Sequence, residues 1–153
     1  MGRMEIRVVA YDHPDASMLI AEVQAEYVIR YGGHDGTRVR PDEFAPPHGL
    51  FLVGYLGDVP VASGGWRAQR DGAAELKRMY VVPSARGRGL ARQMLAELEL
   101  TAKRAGHHRI ILETGSKQPE AAALYRSSGY TDVPAFGYYA EHASSIHLGK
   151  SLG

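Results

Sequence analysis

Apolar residues recur at Leu19, Val23, Tyr27 and Tyr31, with Ile20 alongside. Spacing by four puts them on one face and predicts a helix to about Tyr31, ended by Gly32-Gly33, with Glu22, Gln24 and Glu26 on the other face. Before it, Met4 to Ala10 (MEIRVVA) is β-rich, and Asp12 is the expected N-cap of a helix that tolerates Pro14 in its first turn. Residues 33–48 lose this periodicity. Their prolines, glycines and charges predict a mobile loop with a short helical turn at Pro41 to Phe44.

A strand pattern then takes over. GLFLVGYL (Gly49 to Leu56), the Gly57-Asp58 turn and VPVASGGW (Val59 to Trp66) read as a hairpin, and Ala73 to Val82 reads as a third strand across a QRDG turn. Leu90, Met94, Leu98 and Ala102 mark a helix from about Gly87 to Arg104, closed by Gly106. RIILET (Arg109 to Thr114) is a short buried strand, Pro119 opens a helix that Gly129 ends, and two last strands are expected near Val133 to Tyr139 and Ser145 to Lys150. The pattern predicts an α/β domain with a central sheet flanked by helices.

Between the third strand and the next helix lies YVVPSARGRGLA (Tyr80 to Ala91). A helix in a βαβ unit begins with unpaired N–H groups that favour an anion. Gly87 and Gly89 let the backbone approach a ligand closely, while Arg86, Arg88 and Arg92 add positive charge. The loop therefore reads as a diphosphate cradle. A dinucleotide fingerprint fits poorly, because Arg92 stands at the third glycine position, and no Gly-Lys-Ser/Thr follows to make a Walker loop. A solvated basic helix start is the plain alternative.

Composition narrows the classes. The 153 residues suit one domain, and 44% apolar with 23% charged residues is ordinary globular usage. No apolar run is long enough to cross a bilayer, and Arg3 and Glu5 interrupt any secretory pattern, so a cytoplasmic protein with no membrane partner is expected. Without cysteine there is no disulfide, thiolate zinc site or sulfur nucleophile. The histidines are scattered without ligand spacing, so no metal is expected, and His107-His108 reads as a helix-end pair. A formal charge of +1 argues against a general nucleic-acid surface.

RGRGLA at Arg86 to Ala91 matches the Arg/Gln-x-x-Gly-x-Gly/Ala signature of the GNAT superfamily, the acyl-CoA-dependent N-acyltransferases. The strand ending in VVP before it, the amphipathic helix after it, and AAALYRSSGY, which is similar to the family's A-x-x-LY-x-x-x-GF/Y segment, extend the resemblance from about Gly49 to Tyr139. The resemblance implies a mixed sheet of about six to seven strands whose fourth and fifth members splay apart. It also implies acetyl-CoA, or another short acyl-CoA, with its diphosphate on the N–H groups of Gly87, Arg88, Gly89, Leu90 and Ala91. Arg86, Arg88 or Arg92 would meet the 3′-phosphate end, and the freed backbone of Met79, Tyr80 and Val81 would meet the thioester and pantetheine. Gln118 stands seven residues before Tyr125, where many family members carry a cofactor-contacting asparagine, so an amide is kept.

Acyl transfer needs held reactants, an oxyanion donor such as the Met79 backbone, and a base for the ammonium proton. Glu75 lies eleven residues before Arg86, the spacing of a strand-four glutamate that several family members use as base, and strand alternation puts it on the face of Met79. It can equally be a surface glutamate paired with Lys77 or Arg78. Glu22 and Glu26 are weaker alternatives. Tyr125 matches the family tyrosine that protonates the leaving thiolate, and its ordinary pKa of about 10 suits that donation. The acceptor pocket is expected between the first helix, its following loop and the final hairpin. Tyr27, Tyr31, Phe136, Tyr138 and Tyr139 would wall it, Trp66 would be core or floor, and Glu22, Glu26 and Glu141 would draw a cation. The expected acceptor is a small-molecule amine, with a protein amine or a non-catalytic acyl-CoA sensor as rivals, and a homodimer is a family-level expectation.

Overall fold

The computed structural model describes residues 3–69 and 71–153. Seven strands and three helices follow in the order β1 (Glu5–Val8), α1 (Pro14–Tyr31), β2 (Gly49–Leu56), β3 (Val59–Ala68), β4 (Ala73–Val81), α2 (Leu90–Arg104), β5 (Arg109–Gly115), α3 (Pro119–Ser127), β6 (Thr131–Asp132) and β7 (Ser145–Ser151). They build one mixed sheet, ordered β1-β2-β3-β4-β5-β7-β6. β4 and β5 run parallel, as a strand-helix-strand crossover requires, and the other neighbours are antiparallel.

Each face of the sheet has its own core. α2 buries Leu90, Met94, Leu95, Leu98 and Ala102, which pack with Leu52, Trp66, Leu76, Ile110 and Leu112. Each large side chain buried there contributes roughly 1.5–3 kcal/mol. On the opposite face Ala16, Leu19 and Val23 of α1 close over Phe44, Phe51, Val53 and Tyr80.

Where the pattern misplaced an element, a proline or glycine explains it. Pro14 takes the first helical position, so the N-cap is His13, whose Nδ1 accepts from the Asp15 N–H at 3.0 Å, and not Asp12. α2 begins at Leu90, later than expected, because Gly87 and Gly89 have φ of 82° and 76° and cannot be helical. The strand expected at Val133 to Tyr139 does not form. β6 stops at Asp132, Val133 adds one bond to His147, and Pro134 then lacks an N–H while Gly137 turns at φ 71°. In the expected QRDG turn Arg70 lies outside the described residues, while Gln69 bonds to Ala73 and to Gly72.

The feature that shapes the site is a bulge in β4. The β3 register runs Gly65↔Lys77 and resumes at Ser63↔Tyr80, so Arg78 and Met79 together oppose Gly64. Arg78 has φ 61°, the one positive φ outside glycine among the described residues. The bulge reverses the side-chain alternation. Glu75 and Lys77 face the α1 side, yet Met79 packs on the α2 side, where a Cβ on Gly64 would come within 3.1 Å of its sulfur. The expectation that Glu75 and Met79 share a strand face is therefore corrected.

Candidate active site

Ahead of the bulge the two parallel strands part, after Glu75. β4 and β5 are paired only at Ala73↔Arg109, Ala74↔Ile110 and Glu75↔Ile111, leaving the backbone from Met79 to Val81 free of β5. A cavity of about 350 Å³ opens along this freed edge, lined by Met79, Tyr80, Val81, Arg86, Gly87, Gly89, Leu90, Ala91 and Arg92 and, across it, Gln118 and Tyr125 of the α3 segment. Nothing lies within 4 Å of a Cβ added at Gly87 or Gly89, so the loop's outer surface is open to a ligand. The start of α2 thus offers unpaired N–H groups, left-handed glycines and arginines to an anion.

A second chamber of about 140 Å³ lies on the other side of Tyr125. Met79, Gln118, Ala121 and Tyr125 line both spaces, so the two meet at these side chains. Tyr125 is buried against Tyr130, with ring centroids 5.7 Å apart. Burial, and then the negative charge of Glu113, push its pKa well above the ordinary tyrosine value, which keeps the hydroxyl a proton donor at neutral pH.

One wall of the chamber is ionic. The Asp35 carboxylate receives Lys77 Nζ at 2.6 Å and Arg78 Nη1 at 2.5 Å, and all three side chains are nearly buried. Burial alone would raise the Asp35 pKa, but Lys77, Thr37 and Arg78 outweigh it and hold the carboxyl far below the usual range. Asp35 is itself fixed by Gln24, whose Oε1 accepts its N–H at 2.7 Å. The loop read as mobile is thereby fastened to α1 and β4. Opposite stand Tyr27, whose pKa burial also raises, and Tyr31, whose hydroxyl donates to Gln118 Oε1 at 3.2 Å. Lys77, Glu113 and Tyr139 then separate this chamber from an outer trough that contains Glu75, Phe136 and Tyr138.

Residues 17–130 match the Acetyltransferase (GNAT) family. The chain belongs to that family. It is 37% identical over 109 residues to the IAA acetyltransferase of Azospirillum brasilense, covering 71% of each chain. Its fold superposes on a crystal structure described as an acyl-CoA N-acyltransferase of Klebsiella pneumoniae with a TM-score of 0.82 at 28% identity, covering 98% of each chain. The PaiA N-acetyltransferase of Thermoplasma acidophilum, solved in complex with coenzyme A, shares the fold with a TM-score of 0.75 at 16% identity, over 98% of this chain and 99% of that one. This is a GNAT acyltransferase, and the splayed strands β4 and β5 are those the sequence resemblance implied. Among the described residues no helix is long and apolar enough to cross a membrane.

Within the GNAT frame the expected site residues separate into three groups. Met79, Tyr80, Val81, Arg86, Gly87, Gly89, Leu90, Ala91, Arg92, Gln118 and Tyr125 line the cavity at the α2 N-terminus, and Arg88 is exposed on the same loop. Tyr27, Tyr31 and Tyr139 line the inner chamber, while Phe136 and Tyr138 belong to the outer trough.

The remaining residues are held by other contacts. Glu22 lines none of these spaces and accepts from the Tyr80 hydroxyl at 3.1 Å. Glu26 pairs with Arg86 at 2.8 Å on the rim of the large cavity and does not line the smaller chamber. Trp66 packs under α2, its Nε1 donating to Thr101 Oγ1 at 3.0 Å, so it is core and not pocket floor. Glu141 is exposed and lines none of them. Glu75 is 7% exposed, and it is paired with neither Lys77 nor Arg78: Arg67 Nε and Gln69 Nε2 both donate to its Oε1, at 3.0 and 2.6 Å.

Asp35, Glu113 and His142 were not singled out from the sequence. An isolated aspartate in a proline-rich loop and a glutamate inside an apolar strand carry no spacing signal. Only Glu113 left a trace, as a charged residue within the buried run RIILET.

Proposed function

We propose that this GNAT enzyme moves the acetyl group of acetyl-CoA to the primary amine of a small or amino-acid-like molecule, by direct transfer in a ternary complex. The supporting observation is the meeting of a large cavity at the α2 N-terminus with a small chamber at Met79, Gln118, Ala121 and Tyr125. Acetyl-CoA fits the first: its diphosphate is matched by the open glycine loop, and its pantetheine by the freed edge of β4. Arg86 and Arg92 add charge at the mouth.

The chamber of about 140 Å³ suits an amine-bearing group on the scale of a benzene ring, which favours a small acceptor over a folded protein surface. Holding the two reactants on either side of Tyr125 supplies much of the rate enhancement. The Tyr125 hydroxyl gives its proton to the departing sulfur. With no cysteine in the chain, no thiol-linked acyl enzyme can intervene.

A CoA-release screen with acetyl-CoA against small amines, amino acids, polyamines, aminoglycosides and peptides tests the proposal. Turnover with a small amine is expected. Turnover with peptides alone would move the acceptor to a protein amine, and acetyl-CoA binding without turnover by any amine would leave a sensor.

A further inference from the structure

Two carboxylates of the sheet stand near the parting of β4 and β5, and their surroundings differ. Glu75 is opposite Ile111 in the closed part of the strand pair, with one oxygen held by both Arg67 and Gln69. Arg67 is in turn fixed by Glu43 at 3.1 Å and by the Arg38 carbonyl at 3.0 Å. That carboxylate is tied into the wall. Glu113 lies two residues past Ile111 on the same face of β5, where the pairing with β4 has ended. It lines the chamber it shares with Met79 and Tyr125, and also the outer trough. It makes no salt bridge among the described residues, and Ser145 is near enough to draw its pKa down.

We propose that Glu113, and not Glu75, is the general base that takes the proton from the acceptor ammonium. This inference rests on the acetyltransferase reading of the same site. A protonated amine entering the chamber passes one proton to a Glu113 carboxylate oxygen, which releases it to solvent through the trough. The nitrogen lone pair then forms the C–N bond to the thioester carbonyl carbon. As the C–S bond breaks, its electron pair goes to sulfur, which takes the Tyr125 hydroxyl proton. The second nitrogen proton, shed as the amide forms, restores Tyr125. One ammonium and one thioester give one amide, one thiol and one proton.

The surroundings of Glu113 suit the task. Its pKa is raised, first by burial and then by Asp35, against the opposing pull of Ser145, Lys77 and His142, so it is a stronger base than an exposed glutamate. Tyr27 and Tyr31 from α1 and Tyr125 from α3 have pKa values raised above the ordinary tyrosine range, and that of Tyr139 is pushed up to about 12, so all four remain protonated while Glu113 titrates. On β7, His147 is its cross-strand partner, with its ring packed against Phe136.

The test compares Glu113→Gln with Glu75→Gln. Acetyl-CoA affinity is measured by calorimetry, folding by thermal melt, and kcat/KM against pH with the best acceptor among tyramine, phenylalanine amide and short diamines. Glu113→Gln should lower kcat/KM by on the order of 100-fold near neutral pH, with the defect shrinking toward alkaline pH and acetyl-CoA affinity unchanged. Glu113→Asp should recover part of the loss, and Glu75→Gln should keep the acid limb of the wild-type profile. Carbon NMR of protein labelled at the glutamate carboxyl carbon gives a readout free of any acceptor. One resonance, absent from Glu113→Gln, should titrate above the ordinary glutamate value of about 4.3. A wild-type pH profile in folded Glu113→Gln, or a Glu113 resonance titrating at or below that value, overturns the inference. Failure of the wild-type protein to bind acetyl-CoA strikes the acetyltransferase reading instead.

Discussion

The proposed donor side and the proposed acceptor side of this site are built differently. The donor side is backbone: two left-handed glycines, the start of α2 and a strand edge freed where β4 parts from β5. The acceptor side is side chains gathered from distant segments, with Asp35 clamped by Lys77 and Arg78 and with Glu113 and Tyr139 on a shared wall. Backbone binding requires particular residues at fixed spacing, whereas an ionic chamber can be assembled from any segments the fold brings together. A cosubstrate common to a family and an acceptor peculiar to one member suit these two modes.

The largest expected effect comes from breaking the donor side. Gly89→Glu puts a side chain and a negative charge where the diphosphate would sit, at a φ of 76° that side chains rarely adopt. Acetyl-CoA affinity by calorimetry should fall by on the order of 100-fold or more in protein whose melt shows it folded. Near-native affinity would refute the cradle.

Asp35→Asn should separate the two sides. It leaves Lys77 and Arg78 buried without their counter-charge, and breaking such a cluster costs roughly 3–5 kcal/mol, measurable by urea unfolding. Acetyl-CoA affinity of the folded fraction should barely change; an equal loss there would show that the sides are not independent. Because the folded-state pKa of Asp35 is depressed, its stabilisation is present above the ordinary aspartate value of about 4 and is lost as pH falls below it. The variant should therefore lose less stability on acidification than the wild type.

Tyr125→Phe, at the junction, should lower kcat by on the order of 10-fold while acetyl-CoA binding changes little. An unchanged kcat, where chemistry limits the rate, would leave the ring as packing alone. The smallest effect is expected at Trp66. Trp66→Phe removes its bond to Thr101 beneath α2 and should cost about 1 kcal/mol of stability, with no change in either substrate's KM.

This division also decided what could be read from the sequence. RGRGLA and AAALYRSSGY pointed to the open glycine loop and to Tyr125, which the structure brings to one cavity, because glycines at a tight turn and a tyrosine at a fixed place on a helix leave local spacing as their trace. The strands and helices followed from alternation and from spacing by four, and boundaries slipped where prolines and glycines outweighed the pattern. The reversal at Arg78 left no such trace. A bulge is a mismatch between two strands, so alternation along β4 alone placed Glu75 beside Met79. For Trp66 the sequence left core and pocket floor open, and the cover of α2 over its face of β3 makes it core.

The Gly36 amide donates to the Tyr139 hydroxyl at 2.9 Å, and a Cβ at Gly36 would come within 3.1 Å of the Tyr138 hydroxyl. Two segments about a hundred residues apart in the chain are thereby clasped beside the inner chamber and the outer trough, both of which Tyr139 lines. For recombination between homologues, this makes the two loops a single heritable cassette. A chimera that takes residues 33–48 from one parent and residues 133–144 from another breaks the clasp unless both parents carry a small residue and a tyrosine at these places. Crossover points that keep the pair together should yield folded enzymes with exchanged acceptor preference, and those that split it should yield folded sheets with a gaping mouth.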